Sequence, residues 1–279
     1  MDFSNKPGPI GIFDSGYGGL TVLRQIRRVL PQYDYLYLGD NARAPYGNRS
    51  FDVVHEFTLQ AVTKLFERGC QLVILACNTA SAKALRTIQQ LDLPTLDPER
   101  RVLGVIRPTA EIIGELTKTR HVGIFATKGT IRSNSYPIEI KKLYPDIVVT
   151  GVSCPMWVPL IENGEINNAG CDYFVKKRLD GIMSLDGRID AIILGCTHYP
   201  ILLPTILRYA PKNVRIIPQG IYVADSLKDY LIRHPEMDAK CSKGGACHYL
   251  TTESVDEFQK SATIFMDNED IDVEHISWD

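Results

Sequence analysis

No stretch of this 279-residue chain reaches the roughly 18 uninterrupted apolar residues of a membrane-spanning helix, so no membrane partner is expected. No charge of one sign dominates: 31 Lys and Arg stand against 33 Asp and Glu, a net charge of −2, which gives no reason to expect nucleic acid or an anionic surface as partner. The N-terminal stretch MDFSNKPGPIGIF lacks a basic start leading into an apolar core. It does not read as a secretory signal, and a cytoplasmic protein is expected. Phosphate-loop chemistry is missing too. There is no G-x-x-x-x-G-K-[ST], and the glycine-rich segment Ile10 to Leu20 lacks the third glycine of the dinucleotide fingerprint. The seven cysteines are odd in number and scattered over the chain, which argues against a disulfide framework. What remains is ordinary for a globular protein: 44% hydrophobic and 23% charged residues, with length for one large or two medium domains.

Strand-like runs alternate with amphipathic helical stretches, the pattern of a parallel α/β architecture. Strands are expected at Pro9 to Phe13, Leu72 to Ala76, Val102 to Ile106, Val122 to Phe125, Ile147 to Thr150, Ile189 to Leu194 and Val214 to Ile217. Helical spacing marks Leu20, Leu23, Ile26 and Leu30, and again Val53, Val54, Phe57, Ala61, Leu65 and Phe66. A duplication shows through. GIF at Gly11 to Phe13 recurs at Gly123 to Phe125, and each copy is followed at similar spacing by an apolar run ending in cysteine. We therefore expect two pseudo-symmetric α/β domains, residues 1–99 with 213–279 and residues 100–212, with mainly parallel sheets flanked by helices and the active site in the cleft between them.

Those cysteines are the most informative residues. ILACNTASA (Ile74 to Ala82) and ILGCTHYP (Ile193 to Pro200) each carry a buried-strand pattern into a thiol, then short polar side chains. The carboxyl ends of parallel strands are where such sheets hold ligands. Cys77 and Cys196 could be small buried fillers, as most cysteines are, but two at matching positions favour chemistry from both faces of one atom. Cys70 and Cys171 read as fillers, and the Cys241, Cys247 and His248 group as surface loop without a full set of metal ligands. No metal is expected. In DSGYGGL, Asp14 is a helix cap or a site carboxylate, and the glycines allow backbone to approach a ligand anion. Tyr46 and Gly47 lie in a Pro-initiated turn, Glu162 reads equally as a solvated loop carboxylate, and Thr127 and Thr130 are caps or ligand donors.

Taken in order, DSGYGGL, APYGNRS, ACNTASA, CPMWVPLIENGE, LGCTHYP and VADSL resemble the motifs of the glutamate racemases, and the tail around TTESVDEFQKSA resembles that family's C-terminus. The resemblance implies a cofactor-independent racemase that interconverts L- and D-glutamate and supplies D-glutamate for peptidoglycan. It implies that Cys77 removes the α-proton of D-glutamate while Cys196 reprotonates the opposite face, with roles reversed for L-glutamate. Asp14 would assist Cys77, and His198 would assist Cys196 with Glu162 nearby. Ser15, Tyr46, Gly47, Asn78, Thr79 and Thr197 would hold the substrate, and a homodimer is implied. Tyr17, Arg107-Pro108-Thr109 and Trp157 depart from the family's usual residues and bear on a pocket beside the site.

The chemistry is consistent with that reading. Inversion by proton transfer needs a base on one face and an acid on the other, and two fixed thiols supply both. A free cysteine is only slightly ionised at neutral pH, so a neighbour such as His198 is needed. With no cofactor as electron sink, donors aimed at the α-carboxylate must stabilise the carbanion, a role open to Asn78, Thr79 and Thr197. Rival readings are an aspartate or other acidic amino-acid racemase, and a noncatalytic amino-acid-binding protein. A cysteine hydrolase is disfavoured, since acyl transfer does not need two symmetric thiols.

Overall fold

The computed structural model describes residues 6–266 and 271–278; the first five residues of the N-terminal stretch considered above lie outside them. Among the described residues ten strands form two sheets, and every strand pairing is parallel. They are β1 (Ile10–Asp14), β2 (Tyr35–Gly39), β3 (Leu72–Leu75), β4 (Arg101–Gly104), β5 (His121–Ala126), β6 (Val148–Ser153), β7 (Ala191–Gly195), β8 (Arg215–Pro218), β9 (Cys247–Thr251) and β10 (Val273–His275). The first sheet runs β10-β9-β2-β1-β3-β4 and the second β6-β5-β7-β8. Helices lie between most consecutive strands. The central strands β1, β3, β5 and β7 are buried throughout, which is why they read as continuous apolar runs rather than alternating ones.

The expected duplication is visible as topology. Leaving aside the β9 and β10 extension, strand order 2-1-3-4 in the first sheet matches 6-5-7-8 in the second. Registers agree as well: Phe13 pairs with Leu75, and Phe125 with Leu194. Cys77 and Cys196 each follow those partners by two residues, so they occupy equivalent points of the two sheets.

Two assignments change. The expected boundaries at 99/100 and 212/213 put Val102 to Ile106 in the second half and Val214 to Ile217 in the first. In the structure β4 pairs with β3, and β8 with β7, so each strand stays with the sheet that precedes it. The chain crosses one step later, in the helices that follow. Helix Ile106–Leu116, which starts where the strand was expected to continue, buries Ile106, Ala110 and Ile113 with Val122, Ile124 and Ile193 of the second half. Helix Gly220–Arg233 returns, burying Val223, Ala224 and Leu227 with Leu20, Leu23 and Ile26 of helix Leu20–Val29. A strand and the helix after it are covalent neighbours but need not share a core, and strand patterning alone cannot reveal that exchange.

The Cys247 and His248 region is also not a surface loop. It forms β9, paired with β2 along five residues from Tyr35↔Cys247 to Gly39↔Thr251. Among the described residues no group of three His, Cys, Asp or Glu could hold a metal ion, and no helix is long and apolar enough to cross a membrane.

Candidate active site

A cavity of about 300 Å³ opens at the carboxyl ends of the central strands, with residues of both halves in its wall. From the first half come Ser15, Tyr46, Gly47, Cys77, Asn78 and Thr79; from the second come Thr127, Glu162, Cys196, Thr197 and His198. Eleven of the thirteen residues singled out in the sequence thus share one cleft. Asp14 and Thr130 do not line it: both are buried behind its wall. A larger cavity of about 480 Å³, bordered by Arg86, Arg107, Pro108 and Arg233, shares no lining residue with this cleft.

On the first side, Cys77 caps helix Asn78–Lys83, its sulfur accepting from the Ala80 N–H at 3.4 Å. Ser15 Oγ lies 3.3 Å from the same sulfur. Asp14 faces elsewhere. Its carboxylate accepts from the Gly16 N–H at 3.0 Å and from Thr197 Oγ1 at 3.3 Å, an interaction that reaches into the other half. Of the glycines of this loop, Gly16 lines the cleft, whereas Gly18 serves packing between the halves. A Cβ on Gly18 would sit 2.3 Å from both His198 Nδ1 and Thr197 Oγ1. Glycine here allows two protein segments to touch across the cleft. Thr21 Oγ1 secures that contact by donating to Thr197 O at 2.8 Å.

The second side is organised around His198. Its Nε2 lies 2.8 Å from Glu162 Oε1 and its Nδ1 4.0 Å from Cys196 Sγ. Glu162 ends helix Trp157–Glu162 and is not a loop carboxylate. Phe265 from the C-terminal region packs edge-on to the imidazole with ring centroids 5.4 Å apart. Thr127 is a cap, accepting from the Thr130 N–H, and it also joins the halves: its hydroxyl lies 3.0 Å from that of Thr79.

Burial and charge set the protonation states. Burial pushes the Cys77 thiol up to about 12, and the Asp14 charge adds to the rise. Cys77 is therefore a neutral thiol at neutral pH. Burial also raises Asp14 above the usual carboxylate range, against the lowering effect of His198 and of the Gly19, Gly16 and Thr197 donors. For His198 burial acts downward, but hydrogen bonds to Cys196 and Glu162, and their charges, outweigh it and raise the imidazole to about 10. His198 is thus an imidazolium held between a sulfur and a carboxylate.

Other residues named from the sequence have protein partners. Tyr46 gives its hydroxyl to Asp40, and its ring packs on Phe13 and Phe57. Trp157 is fully buried between Phe125 and Tyr199, and Tyr17 packs on Phe258 and Phe265; neither lines the cleft. Sequence reading missed Asp40. This buried carboxylate accepts from Arg43 Nε at 2.7 Å, Thr252 Oγ1 at 3.0 Å and Trp278 Nε1 at 3.0 Å, as well as from Tyr46. It ties the Tyr46 loop to the C-terminal region. Its placement just after the run YLYLG, like Asp14 at the end of GIFD, was the available signal. Cys154, a third thiol in the cleft wall, stands one residue past β6 as Asp40 stands past β2.

A family model for Asp/Glu/Hydantoin racemase matches residues 17–224. The chain belongs to that family. It is 40% identical over 270 residues to the glutamate racemase of Ruegeria sp. (strain TM1040), covering 93% of this chain and 97% of the relative. It is 36% identical over 269 residues to the glutamate racemase of Geobacter metallireducens, covering 96% of each. Among solved structures, a glutamate racemase of Bacillus anthracis matches with TM-score 0.87 at 33% identity, covering 97% of both chains. The glutamate racemase of Francisella tularensis in complex with D-glutamate matches with TM-score 0.85 at 31% identity, covering 99% of this chain and 98% of that one. The relatives are thus isomerases acting on an amino acid, and this racemase family is built on the same two-sheet frame.

Proposed function

We propose that this chain interconverts L- and D-glutamate by proton transfer at the α-carbon, with Cys77 and Cys196 as the two proton-carrying groups. The observation that carries the reading is the equivalence of the two thiols: each stands two residues past the same register point, and both open into one cleft. Glutamate as substrate is supported by the relatives and by the D-glutamate complex of the Francisella tularensis protein. Supply of D-glutamate for peptidoglycan is the accompanying role, and a homodimer the accompanying assembly, checked by mass in solution.

On this reading Cys196, starting as thiolate, removes the α-proton of L-glutamate while the Cys77 thiol gives its proton to the opposite face, which leaves Cys196 as thiol and Cys77 as thiolate. D-glutamate is taken by that exchanged state, with Cys77 removing the proton and Cys196 delivering one. His198, protonated at neutral pH and 4.0 Å from Cys196 through Nδ1, is placed to replenish that sulfur, while Glu162 holds the imidazolium. Asp14 acts on Cys77 through its charge and, through Thr197, on the second side. Ser15 Oγ is the polar side chain in contact with Cys77. Donors from Asn78, Thr79 and Thr197 take the carboxylate as it gains enediolate character. No residue of this set requires a cofactor for its step.

The test follows the α-hydrogen of each enantiomer in heavy water with wild type, Cys77→Ser and Cys196→Ser. Wild type is expected to exchange and racemise, and each serine variant to lose turnover by roughly 10²-fold or more, since a hydroxyl is a far weaker acid than a thiol. Racemisation at the wild-type rate in either variant would remove that cysteine from the mechanism.

A further inference from the structure

Behind Cys77 lies a closed ring of hydrogen bonds that the reaction itself does not use. Tyr136 OH donates to Asn78 Oδ1 at 2.6 Å, Asn78 Nδ2 donates to Gln219 Oε1 at 2.8 Å, and Gln219 Nε2 donates back to Tyr136 OH at 2.5 Å. All three side chains are buried, Gln219 being 4% exposed and the other two less. Only Asn78 lines the cleft.

The direction of the ring is set from outside it. Gln219 Nε2 is also 3.2 Å from Val105 O and 2.9 Å from Thr109 Oγ1. A backbone carbonyl can only accept, so the Gln219 atom facing it must be nitrogen. Its oxygen then faces Asn78, which must present nitrogen there and oxygen to Tyr136. No member can flip without placing two acceptors together in a buried site, and an unmet buried hydrogen bond costs about 1–3 kcal/mol. Three bonds donating in one sense round a ring also polarise each other.

The location gives this lock its meaning. Val105 follows β4 and Gln219 follows β8, and the registers Leu75↔Gly104 and Leu194↔Pro218 make them equivalent positions of the two halves. They are the points where the chain leaves one sheet for the other. Tyr136 comes from helix Ser135–Leu143 of the second half, and Asn78 from the first. The ring therefore joins both crossings to a cleft residue.

We propose that Gln219 and Tyr136 are positioning residues that lock the Asn78 amide in one orientation, leaving its second N–H free for the substrate carboxylate. The proposal rests on Asn78 being a substrate donor, as set out under the proposed function. A ring with only a packing role would lower stability and affect catalysis independently of Asn78.

A double-mutant cycle separates these cases. Efficiency kcat/KM is measured for wild type, Asn78→Ala, Tyr136→Phe and the double variant, alongside melting temperature. Asn78→Ala is expected to lose efficiency, Tyr136→Phe to lose roughly tenfold, and Tyr136→Phe to add nothing once Asn78 is alanine. Gln219→Met provides a second cycle if Tyr136→Phe does not fold. An undiminished tenfold loss in the Asn78→Ala background overturns the proposal while leaving Asn78 as a substrate donor. Full efficiency in Asn78→Ala overturns both, because Asn78 then does not bind substrate. Full efficiency in Tyr136→Phe overturns the lock alone.

Discussion

At His198, three influences converge on one ring: burial lowers its proton affinity, while Cys196 and Glu162 raise it and prevail. Enantiomers are equally stable in water, so any variant must change kcat/KM for L- and D-glutamate by the same factor. A defect confined to one side of the cleft must be sought elsewhere, in the isotope effect on each substrate. With His198→Asn, the Cys196 step should become limiting in both directions. The α-deuterium effect on kcat/KM is then expected to rise for L-glutamate, whose proton Cys196 removes, and to fall towards unity for D-glutamate. Equal movement of the two effects would show that His198 does not serve Cys196 in particular. The need for a proton partner near Cys196 was legible in C-T-H, because His198 is two residues away. That Asp14 faces Thr197 rather than forming a hydrogen bond with Cys77 was not legible, since a side chain's direction at a strand end depends on what packs opposite it.

Among elements, the loop after β1 and the turn after β7 illustrate how closely the halves are fitted. Helix Leu20–Val29 begins against this loop, and Thr21 reaches over to Thr197 O. Gly18→Ala would place a methyl 2.3 Å from the imidazole and the Thr197 hydroxyl, neither of which can retreat without breaking a hydrogen bond. We expect efficiency to fall by about 10²-fold or more, with a destabilisation of about 1–3 kcal/mol from overpacking. The comparison of steady-state rates with thermal melts checks it, and near-wild-type activity would mean the loop has room to shift. Glycine spacing alone signalled a close approach here. Whether backbone meets a ligand or another protein segment is a question of tertiary contact, and at Gly18 it is a protein segment.

For the whole molecule, burial of thiols makes stability depend on pH in a definite direction. His198 has a raised native pKa, so its contribution is complete below the unfolded value of 6.5 and is lost as pH rises towards about 10. Cys70, Cys77, Cys154, Cys171 and Cys241 are also raised above 9.0 by burial. Above pH 9 the unfolded chain ionises these thiols while the native state does not, so unfolding releases protons and stability falls further. Melting temperature is expected to decline gently from pH 6.5 to 9 and more steeply beyond. His198→Asn should flatten the first part and leave in place the loss above about pH 10, which the thiols carry. A melting temperature that climbs between pH 9 and 11 would contradict this account of the core.

Local pattern was enough for the parallel α/β class, the repeated half and the two cysteines, because apolar strand runs and the residues that end them are encoded contiguously. Half of the cleft's lining residues were likewise singled out in the sequence, since parallel strands bring their carboxyl ends, and the motifs that follow them, to one edge. Tertiary structure decided the rest. It sent the helices after β4 and β8 to the opposite halves, paired CHYLT with β2, gave Asp40 its four donors and closed the Asn78, Gln219 and Tyr136 ring. Each of these joins residues far apart in the chain through burial or hydrogen bonds, and neither periodicity nor motif spacing carries information about which distant partner a buried group will meet.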